Sequence, residues 1–189
     1  MRRIVAAINM TIDGYCDHTA GIPDEELHHH YTELLNGGDG ILYGRITFQL
    51  MKYWQPLVKN PSGKNDMDEF ARAIDTIPKL VFSRTLKHVE WESAALATRT
   101  LEEEVAALRR QAGRDILVGS RSLILQLMKR NLIDEYQLCV HPIIVGSGMP
   151  LFESIRDTTI FTLVKTKTFH SGAITLYYAP IQENTPKRE

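Results

Sequence analysis

Gly40-Ile41-Leu42-Tyr43-Gly44-Arg45-Ile46-Thr47-Phe48, residues 40–48, is the stretch on which the fold turns. Ile41, Leu42 and Tyr43 make a short continuous apolar run, the pattern of a strand covered on both faces. Gly44 ends the run, and Phe48, Met51 and Trp54 then fall on neighbouring turns of a helix. A buried strand that passes through a glycine straight into an apolar-striped helix is the repeating unit of a parallel sheet with helices on its faces.

Working outward, the same alternation recurs. Upstream, Ile4 to Asn9 reads as a buried strand, and the loop Met10 to Ile22 carries the turn signals Asp13-Gly14 and Gly21. Pro23-Asp24-Glu25-Glu26 places proline and acids where a first helical turn prefers them, Leu27, Tyr31, Leu34 and Leu35 follow at helical spacing, and Asn36-Gly37-Gly38 stops the helix. Downstream, Pro56 to Asn65 reads as a long surface loop, Met67 to Ile74 as a short helix, Lys79 to Phe82 as a third strand and Val89 to Trp91 as a weak one. Leu101 to Ala112 carries acids first and Arg109-Arg110 last, in keeping with the helix dipole. Asp115 to Val118 is a further strand, and Gly119-Ser120 opens a helix bearing Leu123, Leu127 and Met128.

The last third changes character. Glu135 to Val145 reads as one long strand with Pro142 inside it, which implies an edge position or a bulge. Thr158 to Phe169 and Ala173 to Ala179 read as an antiparallel hairpin joined at His170-Ser171-Gly172. The expected fold is α/β: a mostly parallel central sheet with helices on both faces and a C-terminal antiparallel hairpin. Residues 1–181 would form one domain, and the polar residues 182–189 a frayed tail.

Composition narrows the function classes. The 22 Lys and Arg nearly balance the 23 Asp and Glu, and no basic run stands out, which argues against nucleic acid or an anionic membrane as partner. Cys16 and Cys139 lie far apart without a metal-ligand spacing, as suits a reducing compartment. No segment approaches the roughly 20 apolar residues of a membrane span, and the run Ile4 to Ile8 is too short for a signal peptide, so the expected address is the cytoplasm.

In such a sheet, ligands bind outside the carboxyl ends of the parallel strands. Gly44-Arg45-Ile46-Thr47, Ser83-Arg84 and Gly119-Ser120 all follow strands and offer small residues, hydroxyls and arginines. Any one alone is ordinarily a turn or a solvated loop. Together they suit a ligand with several phosphates, since hydroxyls and backbone N–H groups donate to phosphate oxygens and arginine adds a bidentate cation. Neither GxGxxG nor GxxxxGK[ST] is present. His28-His29-His30 points its side chains about 100° apart on a helix, a solvated face with no metal expected.

The chain resembles the dihydrofolate-reductase-like family, in the branch of the reductase domain of the bifunctional riboflavin-biosynthesis deaminase/reductase. The matching residues run from Ile4-Val5-Ala6-Ala7 and Thr11-Ile12-Asp13-Gly14 through residues 41–48, Leu80 to Arg84 and Leu117 to Ser120, to Leu132 to Glu135 and Pro142 to Gly148 before Leu151-Phe152. The resemblance implies NADPH as hydride donor and a small-molecule substrate such as a pyrimidine-linked sugar. It places Gly44, Arg45 and Thr47 on the cofactor phosphates, Ser83 and Arg84 on the 2′-phosphate, Gly119 and Ser120 on the pyrophosphate, and Ala7 beside the nicotinamide. The loop around Asp13 would close over the nicotinamide, and Glu26 would hold or protonate the substrate. The family carries Gly-Gly where this chain has Gly119-Ser120, and a serine limits unusual backbone geometry there. The branch is commonly homodimeric. Two alternatives stand beside this reading: a non-catalytic nucleotide- or ligand-binding protein on the same fold, and a true dihydrofolate reductase.

Overall fold

The computed structural model describes residues 1–16, 19, 21–153, 155 and 158–181; the tail 182–189, expected to fray, lies outside them. Eight strands form one sheet: β1 (Ile4–Thr11), β2 (Gly38–Gly44), β3 (Lys79–Phe82), β4 (Ala94–Leu96), β5 (Asp115–Val118), β6 (Glu135–His141), β7 (Phe161–Thr168) and β8 (Ile174–Pro180). Their order is β4-β3-β2-β5-β1-β6-β8-β7. The first six pair in parallel, and β8 runs antiparallel to both β6 and β7.

Alternate side chains of the strands go to opposite faces, and both faces are covered, which is why these strands read as unbroken apolar runs. Ile4, Ala6, Leu42, Ile116 and Val118 pack under Leu101 and Val105 of α5 (Leu101–Arg109) and Leu123, Ile124 and Leu127 of α6 (Arg121–Met128). Val5, Ile41, Tyr43, Val81 and Leu117 face the other way, against Leu35 of α1 (Glu25–Gly37), Phe48 of α2 (Arg45–Met51) and Ala73 and Ile74 of α4 (Asn65–Thr76). Each Val, Leu, Ile or Phe among them, when sealed from water, contributes about 1.5–3 kcal/mol.

The expected architecture holds, and several boundaries move, among them that of β7, which starts at Phe161 and not at Thr158. A 3-10 turn over Lys52–Trp54 and the short helix α3 (Gln55–Lys59) occupy the first half of the expected loop, with Pro56 in the helix first turn, where its missing N–H costs nothing. The weak strand lies at Ala94–Leu96 and not at Val89 to Trp91, because Trp91 is a core residue. Its indole N–H donates to Asp75 Oδ1 at 2.7 Å, and the Lys79 ammonium sits 4.2 Å from its ring centre. α5 ends at Arg109, short of Ala112. β6 stops at His141, since Pro142 has no N–H for the ladder. Residues 143–151 leave the sheet and dock on the loop after β1, through Ile12 N–H to Ile143 O, Cys16 N–H to Met149 O and Leu151 N–H to Gly14 O at 2.7–2.9 Å.

Candidate active site

The carboxyl edge of the parallel strands gathers the expected site residues. Gly44 stands opposite Phe82, and Leu42 opposite Val118, so the turns after β3, β2 and β5 lie side by side. The Gly44 N–H donates to Ser120 Oγ at 2.8 Å, with Ser120 1% exposed. Ser120 is the residue ahead of α6, in extended backbone (φ −113°, ψ 121°) that any residue adopts, so the departure from Gly-Gly imposes no strain. Its hydroxyl joins two strand ends. Gly119 fits closely for another reason: a Cβ there would lie 3.0 Å from the buried Tyr43 ring, which would have to shift to admit it.

Ser83 Oγ accepts from the N–H groups of Thr85 and Leu86 at 3.1 and 2.9 Å, closing the turn that presents exposed Arg84. Arg45, also exposed, reaches Gln49 Oε1 at 3.2 Å. Among the described residues neither guanidinium has a carboxylate partner. Thr47 is half-buried in the first turn of α2, and α6 begins without a side-chain cap, leaving N–H donors directed outward.

β1 outruns its neighbour on this side. Ala6 pairs with Val118, the last residue of β5, whereas β6 accompanies β1 to Thr11. Arg3 O accepts from Ile116 N on the β5 side and Ile4 O from Asp134 N on the β6 side. By this alternation Ala7 turns its carbonyl toward the β5 side, where the ladder has run out. The half-buried Ala7 thus lies at the start of the stretch of β1 that β5 no longer accompanies. These residues could hold an extended phosphate-bearing cofactor: donors at successive strand ends, two unpaired guanidinium groups and a close approach at Gly119.

The two acids occupy other positions. Asp13 Oδ1 accepts from Thr11 Oγ1 at 2.5 Å, and Oδ2 accepts from Val145 and Gly146 N–H at 3.2 and 2.7 Å; these bonds, the threonine's first, hold its pKa below the ordinary aspartate value. Asp13 therefore fastens the loop after β1 to the segment that follows β6. Glu26 Oε2 accepts from the backbone N–H of His170 at 3.0 Å and contacts its ring Nδ1 at 2.8 Å, and the backbone bond is the main cause of its lowered pKa. Asp24 caps α1 through Leu27 N–H at 2.7 Å and accepts from Ser171 N–H at 2.8 Å. The first turn of α1 thus clasps the β7–β8 turn. Both Asp13 and Glu26 are ionised acceptors at neutral pH.

The histidine run is not a solvated face. His29 is exposed, but His30 is buried against Phe169 and Tyr177, and burial pushes its pKa down to about 4. His28 Nδ1 lies 2.6 Å from Asp66 Oδ2 and ties α1 to α4. His28 lines a cleft of about 530 Å³ with Pro23, Asp24, Tyr53, Trp54 and Met67, at the end of α1 that faces the carboxyl edge. A smaller hollow of about 350 Å³, lined by His30, Gln137, Lys165 and Tyr177 among others, lies toward the amino ends of the strands. No group of three or more His, Cys, Asp or Glu among the described residues could hold a metal ion.

A polar cluster beneath α1 escaped the sequence reading. Asn9 Oδ1 accepts from Tyr31 Oη at 2.7 Å and lies 3.2 Å from His141 Nε2, while Ile22 N–H donates to His141 Nδ1 at 3.3 Å. Burial raises the Tyr31 pKa well above that of a free phenol and lowers that of His141, so both are neutral.

The profile of the RibD C-terminal domain matches residues 2–175. The chain belongs to the RibD C-terminal domain family. The uncharacterized protein YyaP of Bacillus subtilis is 33% identical over 183 residues, covering 94% of each chain. Among solved structures, a putative riboflavin biosynthesis protein from Shewanella sp. PV-4 superposes with a TM-score of 0.71 at 19% identity, covering 95% of this chain and 99% of that one. The diaminohydroxyphosphoribosylaminopyrimidine deaminase/5-amino-6-(5-phosphoribosylamino)uracil reductase of Thermotoga maritima gives 0.65 at 17% identity, and the match covers 95% of this chain but 57% of that longer one. At these identities the structural matches establish a shared fold. Membership of the RibD C-terminal domain family makes the expected dihydrofolate-reductase-like architecture that of this chain.

Proposed function

We propose that this member of the RibD C-terminal domain family is an NADPH-dependent reductase of a small planar heterocycle, close in type to a pyrimidine. The observation that carries the reading is the alignment of three donor-rich turns on adjacent strands, with unpaired Arg45 and Arg84, beside the free stretch of β1. Arg84 would take the 2′-phosphate, Arg45, Thr47 and the α6 N-terminus the other phosphates, and the Ala7 carbonyl the nicotinamide carboxamide. When bound, the cofactor supplies hydride from its nicotinamide C4. The protein's part is orientation: Asp13 fastens the flanking loop, Glu26 fixes the β7–β8 turn, and the cleft beside Trp54 admits the substrate. The two free thiols, one buried and one half-buried, suit the reducing cytoplasm.

A second copy of the chain is the partner this reading favours. β7 is an open sheet edge with both faces exposed, Leu163 at 49% and Val164 at 58%, and such an edge is ordinarily covered.

Calorimetric titration of the full chain tests the cofactor assignment. NADPH should bind about tenfold or more tightly than NADH, because a charge-assisted arginine–phosphate contact contributes roughly 1.5–3 kcal/mol. Equal affinities would remove the 2′-phosphate pocket, and binding of neither nucleotide would overturn the reading. Binding without NADPH oxidation across pterin, folate and ribityl-pyrimidine substrates would leave a ligand-binding protein in its place.

A further inference from the structure

The polar cluster beneath α1 has a direction that can be worked out bond by bond. Ile22 N–H is a donor, so His141 Nδ1 must accept and carries no proton. A neutral imidazole has one N–H, which is then on Nε2; it lies 3.2 Å from Asn9 and 3.9 Å from Cys139 Sγ, and the nearer amide is a stronger acceptor than a thiol. The Asn9 atom facing it must be the carbonyl oxygen, which settles the amide orientation from the network. The same oxygen accepts from the Tyr31 hydroxyl. Both acceptor directions of Oδ1 are occupied, and the Nδ2 amino group faces away from Tyr31 and His141.

That amino group has no acceptor among the described residues, yet it is not sealed from solvent. Asn9 lies on β1 two residues beyond Ala7, on the same face and in the stretch that has lost β5 as its neighbour. Holding a side-chain amide by two neutral donors, with its own donors unpaired among the described residues, pre-organises it for an acceptor that a ligand would bring.

We infer that Asn9 is a specificity-determining residue whose Nδ2 amino group donates to a carbonyl oxygen of an amide or lactam bound at the carboxyl end of β1. The inference deepens the proposed reductase reading and rests on it for the location of the ligand. Two ligands offer this oxygen: the nicotinamide carboxamide and a ring carbonyl of a pyrimidine substrate. Tyr31 and His141 are positioning residues that act through Asn9.

The test compares wild type with Asn9→Asp and Tyr31→Phe, using NADPH, uracil and triaminopyrimidine, the last a ring of like size without carbonyls. Asn9→Asp keeps the acceptor for Tyr31 and His141 and replaces the amino group with an oxygen that repels a carbonyl. A loss of roughly tenfold or more in uracil affinity with NADPH affinity kept assigns the contact to the substrate, and the converse assigns it to the nicotinamide. Triaminopyrimidine binding should not fall in either case. Should the variant not fold, the Asn9 side-chain amide resonances of ¹⁵N-labelled wild type are followed instead, and they should move on saturation with the ligand that supplies the carbonyl. Unchanged affinity for both NADPH and uracil in a folded variant, or unmoved resonances with both, overturns the inference. Failure of wild type to bind NADPH overturns the reductase reading separately, and uracil alone then decides the role of Asn9.

Discussion

Replacing Ser120 with alanine separates a structural hydroxyl from a ligand-binding one. The Gly44 N–H that donates to Ser120 Oγ at 2.8 Å is buried at the end of β2, and a new methyl group offers it no acceptor. An unsatisfied buried donor costs about 1–3 kcal/mol. In a chain of this size each kcal/mol lowers the melting temperature by roughly 2–4 °C, so a fall of about 2–12 °C is expected. Ser120→Gly, the arrangement common in the family, loses the same bond and adds up to about 1 kcal/mol of backbone entropy in the unfolded chain. Urea unfolding at neutral pH measures the stability change, and NADPH titration of the same samples measures the affinity. A stability change under about 0.5 kcal/mol accompanied by a tenfold loss of NADPH affinity would refute the argument and return the hydroxyl to the pyrophosphate.

Arg84→Ala should weaken NADPH about tenfold while leaving NADH affinity and melting temperature nearly unchanged; isothermal titration with both nucleotides reads this, and a parallel loss for both would place Arg84 elsewhere. Glu26→Gln should leave turnover within about tenfold of wild type, because the amide still accepts from His170 N–H, whereas a drop of 10²–10⁴, the range of a general acid, would restore Glu26 as the proton donor. His30→Phe should flatten the acid limb of stability. Burial holds His30 near a pKa of about 4, below that of an exposed histidine at 6.5, so the folded state resists protonation. Its contribution is complete above pH 6.5 and declines as pH falls toward 4, by at most about 1.4 kcal/mol per pH unit. Urea midpoints from pH 7 to 4.5 should diverge between variant and wild type, and parallel curves would show that His30 protonates freely in the fold.

The parts of the molecule that were legible in sequence are those with local causes. Residues 41–48 announce a buried strand and a helix because burial on both faces and helical periodicity write themselves into consecutive residues. The turns holding Arg45, Arg84 and Ser120 follow at once, since each is adjacent in sequence to its strand. Trp91 reads by residue type as part of a weak strand, and tertiary packing puts it in the core instead; Pro56 falls in a helix first turn and Pro142 ends β6, each through its missing N–H. The His28–Asp66 pair and the Asn9 contacts with Tyr31 and His141 join residues 38, 22 and 132 positions apart, and no local pattern encodes them. The serine hydroxyl between β2 and β5 spans 76 positions and is equally silent.

The sheet order has a consequence for how the chain reaches this state. β1 is made before the other strands of this sheet, yet both of its neighbours, β5 and β6, come from residue 115 onward. The first turn of α1 likewise waits for residues 170 and 171 before Glu26 and Asp24 find their partners. A nascent chain that has released β1 therefore carries an apolar strand with nowhere to pair until β5 and β6 have emerged. Nascent chains arrested before β6 should be sticky and chaperone-bound, and the carboxyl edge of β1 should take its folded shape only after β6 has emerged.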